Sequence, residues 1–201
     1  MKTREFAIVC AVVVVLTGLV SPVAAEKGDK HLRFGVLSSM PTDDLVVGTQ
    51  TTELDSAFGF GASFEFHVSD LIGIEPGLST LSYDLTIVEP MFPTATSQAD
   101  LLAVTTNVNF HFKQESGLDI FVGPTIGYAL WDDLTVSGFA TPVATDDEFL
   151  FGAHFGLDIP FGEGKWGFST GLSYLALDLG ATGGDIGVSP IQINLGVAYN
   201  F

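Results

Sequence analysis

A chain of 201 residues with 24 acidic against 7 basic side chains, a formal charge of −17, would repel a phosphate backbone, which argues against nucleic acid as a partner. At 47% hydrophobic and only 15% charged, the composition is not that of a disordered chain. A single cysteine, Cys10, excludes a disulfide framework.

The first 25 residues read as an export signal, separate from the fold. Lys2 and Arg4 precede an apolar run from Phe6 to Leu16, followed by Gly18, Pro22 and the small-residue end Val23-Ala24-Ala25. A basic start, a short apolar middle and a small-x-small end describe a cleavable signal peptide. The run is too short and too soon broken for a spanning helix. Cleavage after Ala25 is expected, leaving residues 26–201 as one domain without a cysteine. No long apolar run follows Val20, so the remaining hydrophobicity belongs to a buried β core or a lipid-facing barrel.

Beyond the signal, apolar residues alternate with small or polar ones at a period of two. Leu32, Phe34 and Val36 mark a first, weaker strand. In the second, Phe58, Phe60, Ala62, Phe64, Phe66 and Val68 oppose Gly59, Gly61, Ser63, Glu65 and His67. Ile72, Ile74 and Leu78 mark a third, again weaker. The fourth sets Val104, Val108, Phe110 and Phe112 against Thr105, Asn107, Asn109 and His111. The fifth sets Ile120, Val122, Ile126 and Tyr128 against Asp119, Phe121, Gly123, Thr125 and Gly127. The sixth sets Phe149, Phe151, Phe155, Leu157 and Ile159 against Leu150, Gly152, His154, Gly156 and Asp158. The seventh sets Trp166, Phe168, Leu172 and Tyr174 against Lys165, Gly167, Ser169, Gly171 and Ser173. Ile191, Ile193, Leu195, Val197, Tyr199 and Phe201 close the chain, opposite Gln192, Asn194, Gly196, Ala198 and Asn200.

The eight strands are joined by alternately short and long connections. Short links fall at Ser69-Asp70, from Gln114 to Gly117 and from Gly162 to Gly164. Long ones run from Pro41 to Glu53, Asp84 to Gln98, Asp132 to Asp146 and Leu179 to Gly187. Strict alternation is expected of an antiparallel up-and-down transmembrane β-barrel, with turns on one side and loops on the other; a Greek-key sandwich does not sort its connections this way. The Gly-, Ser- and Asn-rich face is too small to fill a soluble barrel, so the apolar face is read as meeting lipid. Phe34, Tyr128, Trp166, Tyr174, Tyr199 and Phe201, near strand ends, suit interfacial belts.

The long loops lack Lys and Arg but carry Asp43, Asp44, Glu53, Asp84, Glu89, Asp132, Asp133, Asp146 and Asp185. Short turns belong on the periplasmic side of such barrels, which puts the N-terminus there and the acidic loops outside the cell. Solvated loops are the expectation; neither acidic pair has the ligand spacing of a cation-binding loop.

The motifs are similar to those of a known family. Asp185-Ile-Gly-Val-Ser-Pro190 and Leu195-Gly196-Val-Ala-Tyr199-Asn-Phe201 resemble the closing strand of the OmpW family. Phe121-Val-Gly-Pro-Thr-Ile-Gly127-Tyr128, Asp70-Leu-Ile-Gly73-Ile-Glu75 and Arg33-x-Gly35 followed by Pro41 resemble its other segments, in the expected order. Phe121 and Asn200 depart from that family's usual Tyr and basic residue. The resemblance implies an eight-stranded outer-membrane barrel and the passage of small hydrophobic molecules. It also implies that Val197, Tyr199 and Phe201 form the signal read by the barrel-assembly machinery.

Strand parity gives its own reading of the lumen. Glu65, His67, Glu75, Asn109, His111, Asp119, His154, Asp158 and Lys165 face inward towards the turn end, with Lys113 and Lys165 as expected partners of Glu65, Glu75 and Asp158. The same parity towards the loop end gives Leu37, Leu81, Leu101, Trp131, Leu175 and Leu177 as gate candidates. The lumen therefore reads as wet at the turn end and apolar at the loop end. His31, His67, His111 and His154, three of them counted as inward, have no close His-x-His spacing and are read as hydrogen-bonding groups; no metal or cofactor is expected. His67-x-Ser69 has the spacing of the His–Ser pair of lipid A deacylases, but no acidic partner accompanies it, so no enzyme is expected. Two functions stand open: a narrow channel for small hydrophobic molecules, or a structural or surface-interaction barrel with acidic extracellular loops and no transport.

Overall fold

Alternation of large apolar with small or polar residues matches the pleat of a strand, whose successive side chains point to opposite faces. In the computed structural model, which describes residues 29–42, 45–47, 50–88, 94–133, 145–162, 164–181 and 184–201, every alternating segment is a strand. The signal segment lies outside the described residues. In chain order the strands are β1 (Lys30–Met40), β2 (Leu45–Val47), β3 (Gln50–Leu54), β4 (Ala57–His67), β5 (Ile72–Val88), β6 (Ala95–Lys113) and β7 (Asp119–Trp131). They continue as β8 (Thr145–Asp146), β9 (Glu148–Pro160), β10 (Trp166–Ala176), β11 (Asp178–Ala181), β12 (Gly184–Gly187) and β13 (Ile191–Asn200).

Eight of these form the barrel. β1, β4, β5, β6, β7, β9, β10 and β13 each pair antiparallel with the next, and β13 pairs back onto β1. Closure leaves no unpaired backbone edge to meet hydrocarbon, the condition for crossing a bilayer with strands. The outer face carries the large apolar side chains: Phe58 is 74% exposed, and Phe60, Phe149, Phe151 and Leu195 are exposed with it. An apolar belt of this kind is mismatched to water and matched to lipid. At the turn end Trp166, Tyr199 and Phe201 form an edge-to-face aromatic row, with ring centroids 4.8 and 5.0 Å apart.

Three tight turns join the strands at one end, and Gly117 and Gly162 take positive φ there, a conformation that a Cβ would strain. In the first turn the Ser69 hydroxyl accepts from the Ile72 N–H at 3.1 Å.

At the other end the segments read as long loops carry further strands. β5 and β6 stay paired up to Ile87 and Ala95, well beyond Asp84 and Gln98. β2 and β3 form a hairpin whose second strand adds to β5, and β8, β11 and β12 form a small separate sheet. The cause is in the sequence: Leu81, Tyr83 and Leu85 continue the inward parity of β5 opposite Ser97, Ala99 and Leu101 of β6, and all six are buried. Glu53, Asp84, Asp132, Asp133 and Asp146 are exposed at this end, whereas Asp43, Asp44 and Glu89 lie outside the described residues.

Candidate functional site

Closing the barrel brings inward residues from non-adjacent strands together. At the turn end Arg33 of β1 is buried and clamped by three carboxylates. Its Nη2 donates to Glu65 at 2.7 Å and to Asp158 at 2.8 Å, its Nε donates to Asp158 at 3.0 Å, and its Nη1 lies 3.2 Å from Glu75. The guanidinium stands 4.5 Å from the centre of the Phe121 ring. Gly156, paired in register with Phe121, leaves room for that ring where a Cβ would strike it.

Further bonds tie the carboxylates to neighbouring side chains. The Asn109 amide nitrogen donates to Glu65 at 2.6 Å and to Glu75 at 2.7 Å, and the Ser63 hydroxyl also donates to Glu75. His111 spans Glu65 and Asp119, at 2.7 and 2.9 Å. His154 reaches Asn109 and Thr125. Glu65, Asn109 and His111 are essentially inaccessible to solvent. The expected wet turn end is instead a packed polar plug. In so confined a lumen each charge keeps its stability by direct partners, because water cannot supply them.

The sequence reading named the wrong cations for this network. Lys165 is exposed and lies 5.8 Å over the Tyr199 ring. Lys113, 34% exposed, sits 4.0 Å from Asp29 at the rim. Both adjoin turns, where a long flexible chain reaches water. Arg33 shares the inward parity of Leu37, which was the available signal. All four histidines are buried, His31 included, which corrects the count of three. His67 and Ser69 do not act as a pair: the ring turns inward towards His31 and His111, while the hydroxyl caps the turn.

Above the plug lies a cavity of about 110 Å³. Arg33, Glu75 and Ser63 border it towards the turn end, Leu37 and Leu175 towards the loop end, and Thr105, Asn107, Thr125, Ser173, Gln192 and Asn194 around the sides. It meets the wall between β4 and β5 at Gly61, Ala62, Gly77 and Leu78. Paired positions along that wall run from Phe58–Ser82 to Ser63–Gly77 and resume at Phe66–Ile74. Pro76, in the interval, has no N–H to give the ladder.

Towards the loop end the lumen is filled. Leu37, Leu81, Leu101, Trp131, Leu175 and Leu177 are all buried in one apolar cluster, together with Leu54, Tyr83, Leu85, Leu150 and Val188. Tyr83 is 0% exposed; its hydroxyl meets the Ser39 hydroxyl at 2.6 Å and its ring lies 5.9 Å from that of Trp131. Tyr83 and Leu85 were legible by parity from Leu81. Leu54 and Val188 were not, since each lies between a long connection and the next alternating run, where the sequence sets no strand frame.

The family profile of the outer membrane protein beta-barrel domain matches residues 10–201. The crystal structure of the outer membrane protein OprG from Pseudomonas aeruginosa superposes with a TM-score of 0.77 at 17% identity, covering 89% of this chain and 98% of that one. The solid-state NMR structure of the outer membrane protein AlkL in DMPC lipid bilayers gives 0.59 at 19% identity, over 90% and 94%. Ail, the attachment invasion locus protein of Yersinia pestis, gives 0.51 at 15% identity, over 87% and 99%. No curated protein matches. At these identities the structural likeness carries the fold, and it agrees with the closed eight-stranded meander and its apolar belt. The chain belongs to the outer membrane protein beta-barrel domain family.

Proposed function

We propose that the barrel is a gated route for small, largely apolar molecules, admitted at the loop end and released sideways into the bilayer. The observation that carries this reading is the cavity of about 110 Å³ that lies between an apolar plug and a charged one and reaches the β4–β5 wall. The apolar plug is soft: Leu and Trp side chains held by dispersion can repack around an apolar solute without leaving a buried charge unpaired. The charged plug is stiff, because moving Arg33 out of its place separates it from three carboxylates at once. Axial release past it is therefore unfavourable. The β4–β5 wall beside the cavity, with the small residues Gly61, Ala62 and Gly77 and a ladder interval at Pro76, offers a thin way out.

In this reading residues 1–25 direct export and are removed, the turn end faces the periplasm, and the acidic loop end faces outward. Lipid is the solvent of the outer wall, and the barrel-assembly machinery inserts it. The barrel acts as a conduit and not as an enzyme. A second reading, a structural or surface-interaction barrel with no transport, draws on the fact that both ends of the lumen are filled.

Reconstitution in lipid vesicles separates them. The transport reading expects uptake of a small apolar solute above that of protein-free vesicles, with negligible ion conductance. Closed behaviour towards both, with folding verified by heat-modifiable gel mobility, favours the structural barrel.

A further inference from the structure

His31 near the start of β1 and His67 at the end of β4 come together on the turn-end side of the charged plug. Their ring centroids are 5.1 Å apart. They are only 5% and 3% exposed, yet neither nitrogen of His67 has a hydrogen-bond partner, nor does Nδ1 of His31. A buried imidazole without partners forfeits the hydration of both ring nitrogens, so such groups call for an explanation. Glu65, between them, places its Oε2 3.9 Å from His67 Nε2. One donor atom from each of the three residues lies within 4.8 Å of the other two.

We propose that His31, His67 and Glu65 form a binding site for an imidazole-seeking divalent transition-metal ion, with Zn²⁺ as its representative. Two neutral imidazoles and a carboxylate are the donor set of open zinc sites, in which a water takes the fourth position. Arms of roughly 2.0–2.2 Å would space tetrahedral ligands at about 3.3–3.6 Å, so binding draws the three atoms inward by side-chain rotation. Ca²⁺ and Mg²⁺, which take oxygen ligands, are excluded by the two histidines.

The surroundings favour a cation independently of the ligands. Glu65, Glu75, Asp119 and Asp158 are four buried carboxylates, and Arg33 is the one arginine or lysine buried with them among the described residues. A dication offsets part of that excess. Glu65 remains competent as a ligand, because Oε2 accepts one hydrogen bond, from Arg33, and keeps a lone pair. Its other oxygen is fixed by Asn109 and His111, the kind of outer support that orients metal-binding carboxylates. His111 stays outside the ligand set: both its ring nitrogens already face carboxylates.

The test uses the folded, untagged protein in detergent micelles, with folding followed by heat-modifiable gel mobility. Zn²⁺ titration by calorimetry is expected to give one ion per chain, released by EDTA. His31→Ala and His67→Ala are each expected to weaken binding at least tenfold, while Asp132→Asn with Asp133→Asn, at the opposite end, leaves it unchanged. The proposal is overturned if the folded wild-type protein retains no Zn²⁺. Histidine variants that bind like wild type overturn it as well, since the ion would then sit on the acidic surface. Where a histidine variant does not fold, Co²⁺ bound to the wild-type protein decides: tetrahedral visible bands support the site, and an octahedral all-oxygen spectrum sinks it.

Discussion

Arg33 and Asp158 meet across the lumen with the guanidinium Nε and Nη2 both donating to one carboxylate oxygen, at 3.0 and 2.8 Å. Their strands, β1 and β9, are separated along the wall by β13 and β10, so the contact spans the barrel instead of following a ladder. The same guanidinium reaches Glu65 on β4 and Glu75 on β5. One side chain thus ties four strands at the turn end.

Removing that side chain strands the carboxylates. Arg33→Met is expected to cost about 3–5 kcal/mol, the usual penalty for breaking a buried pair from one side. Urea unfolding of the folded barrel in vesicles measures it. Adding Asp158→Asn should recover part of the loss, since the two residues share one network and their effects do not add. Arg33→Lys should fall between, keeping the charge but losing the fork. An Arg33→Met barrel as stable as wild type would mean the network does not hold the lumen.

Trp131 is the largest member of the apolar plug and packs against Tyr83, 5.9 Å between ring centres. Trp131→Ala should open a gap above the cavity and cost about 3–5 kcal/mol in stability. If the plug is the gate, flux of an apolar solute into vesicles rises several-fold while ion conductance stays low. Leu37→Asp puts an unpaired charge on the plug face of the cavity and should alter the same flux. A folded Trp131→Ala barrel with wild-type flux takes Trp131 out of the gate.

The β4–β5 wall can be locked. Ala62 and Leu78 are directly paired across it. Paired antiparallel positions have Cα atoms about 4.5–5.5 Å apart, within disulfide reach. Cys10, in the segment read as the cleaved signal, is the sole native cysteine to compete. Oxidising an Ala62→Cys, Leu78→Cys barrel should slow apolar-solute flux, and reduction should restore it. The paired outward positions Leu172 and Ile193, on the β10–β13 wall where the ladder is uninterrupted, serve as the control. Equal flux in oxidised and reduced Ala62/Leu78 barrels would remove the lateral exit.

What was legible in the sequence follows strand parity. Phe58 to Phe66 outward and Glu65 and His67 inward could be read because a pleat has period two and one face meets lipid. The same period carried Leu37, Leu81, Leu101, Trp131, Leu175 and Leu177 into one cluster before any fold was known. Parity says which way a side chain points, not which others it meets. That depends on closure and register, so Arg33 was not seen as the centre of the plug, nor His31 as the neighbour of His67. Lys113 and Lys165 stand beside turns, where the rim lets their side chains reach water, and that distance from the rim is not encoded in strand parity.

Phe201 lies on the outer surface, 60% exposed, with its ring edge-on to Tyr199 at 5.0 Å and Phe64 at 6.4 Å. Its N–H donates to the Lys30 carbonyl at 3.0 Å, which fastens the chain end to β1. Phe201→Ala keeps that bond and removes a ring that already faces the surroundings, so the refolded barrel should lose no more than about 1 kcal/mol. If Val197, Tyr199 and Phe201 form the signal read by the assembly machinery, the same substitution lowers the folded barrel recovered from outer membranes by several-fold. The comparison of unfolding free energy in vesicles with folded yield in cells separates the two roles. A parallel, modest drop in both would make Phe201 a structural end-cap, whereas a large loss confined to cells assigns it to assembly.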